Sequence, residues 1–114
     1  MAYATAWASG DPDQVVALYD AAAIRDDSIA GTRTEGSQAV RTTATDFFVA
    51  HSDATWELLL PFGAGTTSGG IFAIGDADGC SVRATVVLHI KSGKIVQEKV
   101  YYDGASLLAG CWFS

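Results

Sequence analysis

The chain has 114 residues, 49% hydrophobic and 18% charged, with a formal net charge of −6. That length suits one domain able to bury about two-thirds of its unfolded surface, and the composition excludes a disordered linker. The acidic balance excludes a nucleic-acid footprint built on clustered Lys and Arg, and no apolar run is long enough to span a bilayer.

The amino-terminal stretch MAYATAWASGD has no basic segment before its first acid, so no secretory signal is expected. A cytoplasmic protein is the expectation. Cys80 and Cys111 are expected to stay reduced, although one disulfide between them is left open.

In chain order, Ala2–Ala8 reads as a short helix with Tyr3, Ala6 and Trp7 on one face, ended by Ser9-Gly10. Asp11 then caps a second helix, with Pro12 at its first position and Gln14 placed for a capping box. Its buried stripe is expected to be Val15, Leu18 and Tyr19. Ala21–Ser28 reads as a first strand, with Arg25 and Asp27 on one face and Ile24 and Asp26 on the other. Ser28–Gly36 reads as turn. A third helix runs from Ser37 to about Ala50, its stripe formed by Val40, Ala44, Phe47, Phe48 and His51.

Four strands are expected next. Thr55–Phe62 precedes a loop GAGTTSGG, and Gly70–Gly75 precedes the turn Asp76-Ala77-Asp78-Gly79. Cys80–Lys91 alternates well: Val82, Ala84, Val86, Leu88 and Ile90 face one way, and Arg83, Thr85, Val87, His89 and Lys91 the other. Ser92-Gly93 makes a hairpin turn into Lys94–Asp103. Helices gathered ahead of consecutive hairpins predict an α+β domain over residues 1–114.

This order, together with YATAWASGDPDQVVALY, EGSQAV and SGKIVQEKVYYD, resembles the nuclear-transport-factor-2-like superfamily and its SnoaL-like, polyketide-cyclase-like branch. The resemblance implies a cone: a curved sheet, antiparallel but mixed at one edge, wrapped around three helices with an apolar pocket at its open end. It also implies that Asp103, at the end of the last strand, is a pocket acid/base group. Partial similarity to ketosteroid isomerases sets Tyr3 on an oxyanion-hole position and Asp27 on that of the proton-shuttling base. Two departures stand out. Val86 occupies the position of the second oxyanion donor, and Arg25 shares a face with Asp27, where a cation would weaken it as a base.

The function expected is small-molecule binding, with cofactor-independent acid/base turnover of a hydrophobic carbonyl compound as a cyclase or isomerase. The alternatives are a steroid-isomerase-like enzyme using Tyr3 and Asp27, and a non-catalytic ligand-binding or interaction module. Trp7, Tyr19, Phe47, Trp56, Phe72, His89 and Tyr101 are candidate pocket residues. Asp103 also reads as a cap on the following segment, Asp27 as a turn acid, and His89 as a structural histidine. Scattered His and Cys residues give no metal spacing, and no cofactor is implied. A homodimer through the outer sheet face is expected, with Leu107, Leu108, Trp112 and Phe113 packed on the body.

Overall fold

A computed structural model of the protein describes residues 2–28, 31–76 and 81–102. Helix α1 (Ala2–Trp7) buries Tyr3, Ala6 and Trp7, the face set by its spacing. Helix α2 (Pro12–Val16) is capped by Asp11, whose carboxylate accepts from the Asp13 amide at 2.9 Å, with Pro12 where its missing N–H costs nothing. It is shorter than expected. Leu18 is only partly buried, and Tyr19 already belongs to strand β1 (Tyr19–Asp27).

Strand β2 (Thr32–Glu35) stands where a turn was expected and pairs antiparallel with β1. Helix α3 (Ser37–Ala50) follows, with Val40 and Ala44 fully buried. Strands β3 (Thr55–Ala64), β4 (Thr67–Gly75), β5 (Ser81–Lys91) and β6 (Lys94–Tyr102) form successive antiparallel pairs. The sheet order is β2-β1-β6-β5-β4-β3, with β1 parallel to β6. The result is a curved, unclosed mixed sheet with the three helices on its inner face.

Ser92 and Gly93 have φ of 53° and 77°, so β5 and β6 join through a two-residue turn whose twist matches the strands. The GAGTTSGG segment is not the loop expected of it. Gly65, at φ 60°, supports a two-residue turn with Thr66, and β4 resumes at Thr67. Gly69 and Gly70 lie within the strand, and they are glycine because the space beside them is taken. A Cβ on Gly69 would lie 1.9 Å from the Val86 carbonyl oxygen and 2.9 Å from Phe62 Cζ.

The core lies between the helices and the inner face of β4 and β5, where Phe72, Val82, Val86 and Leu88 are almost wholly buried. Tyr3, Trp7, Phe47, Trp56 and Phe72 form one aromatic cluster at that interface, with neighbouring ring centroids 5.7 to 6.2 Å apart. Among the described residues, no helix is long and apolar enough to cross a membrane. Asp103, Cys80, Cys111 and the carboxy-terminal apolar residues lie outside the described residues.

Candidate functional site

The polar groups of the interior come from β1 and β6. Alternation on β1 turns Arg25 and Asp27 to the same side, and the parallel register sets Arg25 beside Glu98 and Asp27 beside Val100. On β6 the inward residues are Glu98, Val100 and Tyr102, in steps of two.

Glu98 is completely buried. One carboxylate oxygen accepts from the Tyr3 hydroxyl and the other from the Tyr19 hydroxyl at 2.5 Å. Arg25 Nε lies 3.1 Å from Glu98 Oε1, but its N–H is poorly aligned, so the contact is an ion pair without a hydrogen bond. The guanidinium carbon also sits 5.4 Å from the Trp7 ring centroid, within cation–π range. Arg25 Nη1 lies 3.5 Å from Asp27 Oδ2, and the Tyr102 hydroxyl donates to that same oxygen at 3.2 Å. A buried carboxylate is tolerable here because a cation and two hydroxyls satisfy it.

These surroundings shift the partners. Burial and the adjacent Glu98 carboxylate push the Tyr3 and Tyr19 hydroxyls well above their ordinary value. Burial works to lower Arg25, but the charge of Glu98 and the nearby phenols outweigh it, and the net shift is upward. Burial and then Asp27 push Tyr102 up to about 12. All three phenols therefore stay protonated as donors at neutral pH.

A cavity of about 140 Å³ opens beside this network. Its polar side carries Arg25, Asp27 and Tyr102 from the sheet, with Thr43 from α3 and His51 from the cap that follows it. Trp7, Phe47, Trp56, Ile74 and Val82 supply the apolar walls. Apolar walls with a few convergent polar groups are what a small-molecule site requires. Two other depressions lack that combination. One, near Asp26, Arg33 and Tyr101, lies beside an exposed Arg33–Asp26 ion pair at 2.9 Å. The other, at the Tyr3 and Leu88 end, is apolar apart from Ser68 and the Tyr3 hydroxyl already given to Glu98. Among the described residues, no three His, Cys, Asp or Glu side chains are grouped to hold a metal ion.

The family model for the SnoaL-like domain matches residues 1–98. The chain belongs to the SnoaL-like family. Solved structures similar to this SnoaL-like protein share its fold at low identity. A hypothetical protein with a ketosteroid isomerase-like fold from Catenulispora acidiphila, in complex with trimethylamine, has a TM-score of 0.81 and 18% identity, covering 96% of this chain and 88% of that one. A candidate polyketide cyclase from Sinorhizobium meliloti has a TM-score of 0.76 and 22% identity, covering 87% and 89%. A candidate SnoaL-like isomerase from Agrobacterium tumefaciens has a TM-score of 0.77 and 18% identity, covering 90% and 92%. No protein of curated function matches the chain.

Within this SnoaL-like fold the expected site residues separate into groups. Asp27, Trp7, Phe47 and Trp56 line the cavity together. Tyr3, Tyr19 and Phe72 lie behind it in the core, two of them bound to Glu98. His89 lies on the other face of β5 from the core, its Nδ1 3.4 Å from the Thr67 hydroxyl. Tyr101 pairs with Thr85 on that same outer face and is 48% exposed, so it does not point into the cavity as expected. Asp103 lies outside the described residues. Glu98 and Tyr102 were missed, although a two-residue step back from Tyr102 names both Val100 and Glu98.

Proposed function

We propose that this SnoaL-like protein binds a small hydrophobic carbonyl compound in the β1–α3 cavity and moves a proton on it, without metal or cofactor, as an isomerase or cyclase. The observation that carries this reading is Asp27, a carboxylate on an aromatic-walled cavity with the Tyr102 hydroxyl held on one of its oxygens. Asp27 takes a proton from the carbon next to the carbonyl, and the electron pair moves onto oxygen as an enolate. The proton returns to another carbon in an isomerisation. In a cyclisation the enolate carbon attacks a second carbonyl and closes a ring, and the alkoxide left on that carbonyl's oxygen takes the proton back from Asp27. Tyr102, kept protonated, positions the carboxylate throughout.

The aromatic walls and carboxylate also suit an organic ammonium ion, and the Catenulispora relative was solved with trimethylamine. Arg25 weighs against that occupant. Its guanidinium already lies over the Trp7 ring and would repel a second cation in so small a space.

The test is conversion of a β,γ-unsaturated cyclohexenone to its conjugated isomer, followed by ultraviolet absorbance. The wild type should accelerate it over buffer, and Asp27→Asn should lower the rate roughly a hundredfold to ten-thousandfold, the usual contribution of a general base. Equal rates with wild type and buffer, or an undiminished Asp27→Asn, would overturn the reading.

A further inference from the structure

An enolate oxygen must be met by a hydrogen-bond donor set in place before the reaction. Tyr3, the donor implied by similarity to ketosteroid isomerases, is not available for that task. Its hydroxyl is buried and given to Glu98, and Tyr3 does not line the cavity that holds Asp27. Tyr102 donates to Asp27, and Trp7 Nε1 lies 3.4 Å from the Tyr19 hydroxyl oxygen. Arg25 is engaged by two carboxylates.

Trp56 differs from Tyr3, Tyr102 and Trp7 in donating to nothing among the described residues, and from Arg25, whose Nε also lacks a hydrogen bond, in having no ion pair. Its Nε1 is buried and finds no hydrogen-bond partner among the described residues, while its ring forms part of the cavity wall. Leaving a buried donor unpaired costs about 1–3 kcal/mol, and native proteins rarely accept that without a reason. The strand register pairs Trp56 with Ile74 of β4, itself a wall residue. Edge-on packing against Tyr3, Phe47 and Phe72 at 6.0, 6.1 and 5.7 Å braces the indole from three sides. A braced donor loses little freedom when a ligand arrives.

The cavity volume limits that ligand. About 140 Å³ is close to the roughly 150 Å³ of an engineered apolar cavity that takes up benzene. One ring fills such a space, and a fused polycycle would extend out of it.

We infer that Trp56 receives the ligand's carbonyl oxygen through Nε1, and that the ligand is a compact carbonyl compound of about one ring. This rests on the proposed carbonyl chemistry and specifies which oxygen contact that chemistry uses.

Three probes test it: cyclohexanone, its isostere methylenecyclohexane, which has no acceptor, and a two-ring decalone. In NMR titrations, cyclohexanone should move the Trp56 indole N–H resonance downfield, and methylenecyclohexane should not. Trp56→Phe keeps an aromatic wall and removes the N–H. It should weaken cyclohexanone binding about tenfold, the equivalent of one hydrogen bond, and leave methylenecyclohexane unchanged. Decalone should bind more weakly than cyclohexanone. The wild-type resonance decides the matter even if the variant does not fold.

Equal weakening of both one-ring probes would mean that Trp56 acts only as a wall and would overturn the inference, as would a downfield shift at Trp7 in place of Trp56. Tighter binding of decalone would overturn the size limit. If no probe binds the wild type, the cavity reading falls as well. If cyclohexanone binds and Trp56 stays silent, only the Trp56 assignment falls.

Discussion

Replacing Glu98 by Ala is expected to be among the most damaging single changes in this protein. It would remove the nearer of the two carboxylates that hold the Arg25 guanidinium, and the acceptor shared by the Tyr3 and Tyr19 hydroxyls. Hydrogen bonds to a charged group contribute about 1.5–3 kcal/mol each, and breaking a buried ion pair from one side costs about 3–5 kcal/mol. These figures overlap, because the same carboxylate is counted in both, so about 4 kcal/mol is the expected loss. Against a typical total of about 5–15 kcal/mol, that leaves a marginal fold. Glu98→Gln keeps the shape and can still bond both hydroxyls, but it loses the charge that balances Arg25. About half the loss is expected. Urea unfolding measures both, and with a slope near 2 kcal/mol per molar the Ala variant should unfold about 2 M earlier. A Glu98→Ala midpoint within about 0.5 M of wild type would refute the view that this carboxylate holds the interior together.

Two further outcomes are expected. Tyr102 binds its proton more tightly folded than unfolded, so its contribution to stability is complete below about pH 10 and is lost as pH rises toward about 12. Tyrosinate absorbance should show ionisation of Tyr102, Tyr3 and Tyr19 delayed and coupled to base unfolding, and four tyrosines titrating together near pH 10 would contradict this. On the outer sheet face, the paired ladder Leu60–Ile71–Thr85–Tyr101 is flanked by Phe62, with Leu60 55% and Phe62 38% exposed, and we propose that a second copy of the chain covers it. Sedimentation should find a dimer at micromolar concentration that Leu60→Glu dissociates, and a wild-type monomer would count against it.

The parts of this fold legible in the sequence are those where burial imposes a clear period. The limits of α3, the Asp11 cap, the α1 face and the alternation of β5 all agree with the structure. Strand β2 was hidden because it is an edge strand, mostly exposed on both faces, so it shows no alternation. The first residues of β4 were hidden by Gly69 and Gly70, which read as loop although close packing, against Val86 and Phe62 at Gly69 and against Leu58 and Leu60 at Gly70, demands glycine there within the strand. In the site, Trp7, Phe47 and Trp56 were legible because helix spacing and aromatic content mark the inner wall, and Asp27 through the similarity to ketosteroid isomerases. Glu98 was not. A register shift between Ile95 and Gln97 puts Glu98 out of step with the buried Ile95, so counting forward along β6 misses it, and a glutamate inside a lysine-flanked strand reads as surface.

Because Glu98 was hidden, so was the partner of the Tyr3 hydroxyl. Similarity placed a donor at Tyr3 but said nothing of a carboxylate opposite it, and a buried carboxylate takes any nearby hydroxyl. Glu98 takes two, and with them the nearer contact to Arg25, at 3.1 Å against 3.5 Å for Asp27. Trp7 holds the same guanidinium from its face. Arg25 is thus tied into the core on one side and touches the cavity acid on the other. The cation that looked from sequence like an obstacle to Asp27 as a base has its charge shared with a second carboxylate that does not line the cavity. One strand, β6, therefore does two jobs through alternate inward residues: Glu98 neutralises the interior, and Tyr102 positions the acid at the cavity. The cost of that arrangement falls on Tyr3, whose hydroxyl is committed to the core, and the proposed carbonyl contact passes to the indole N–H of Trp56.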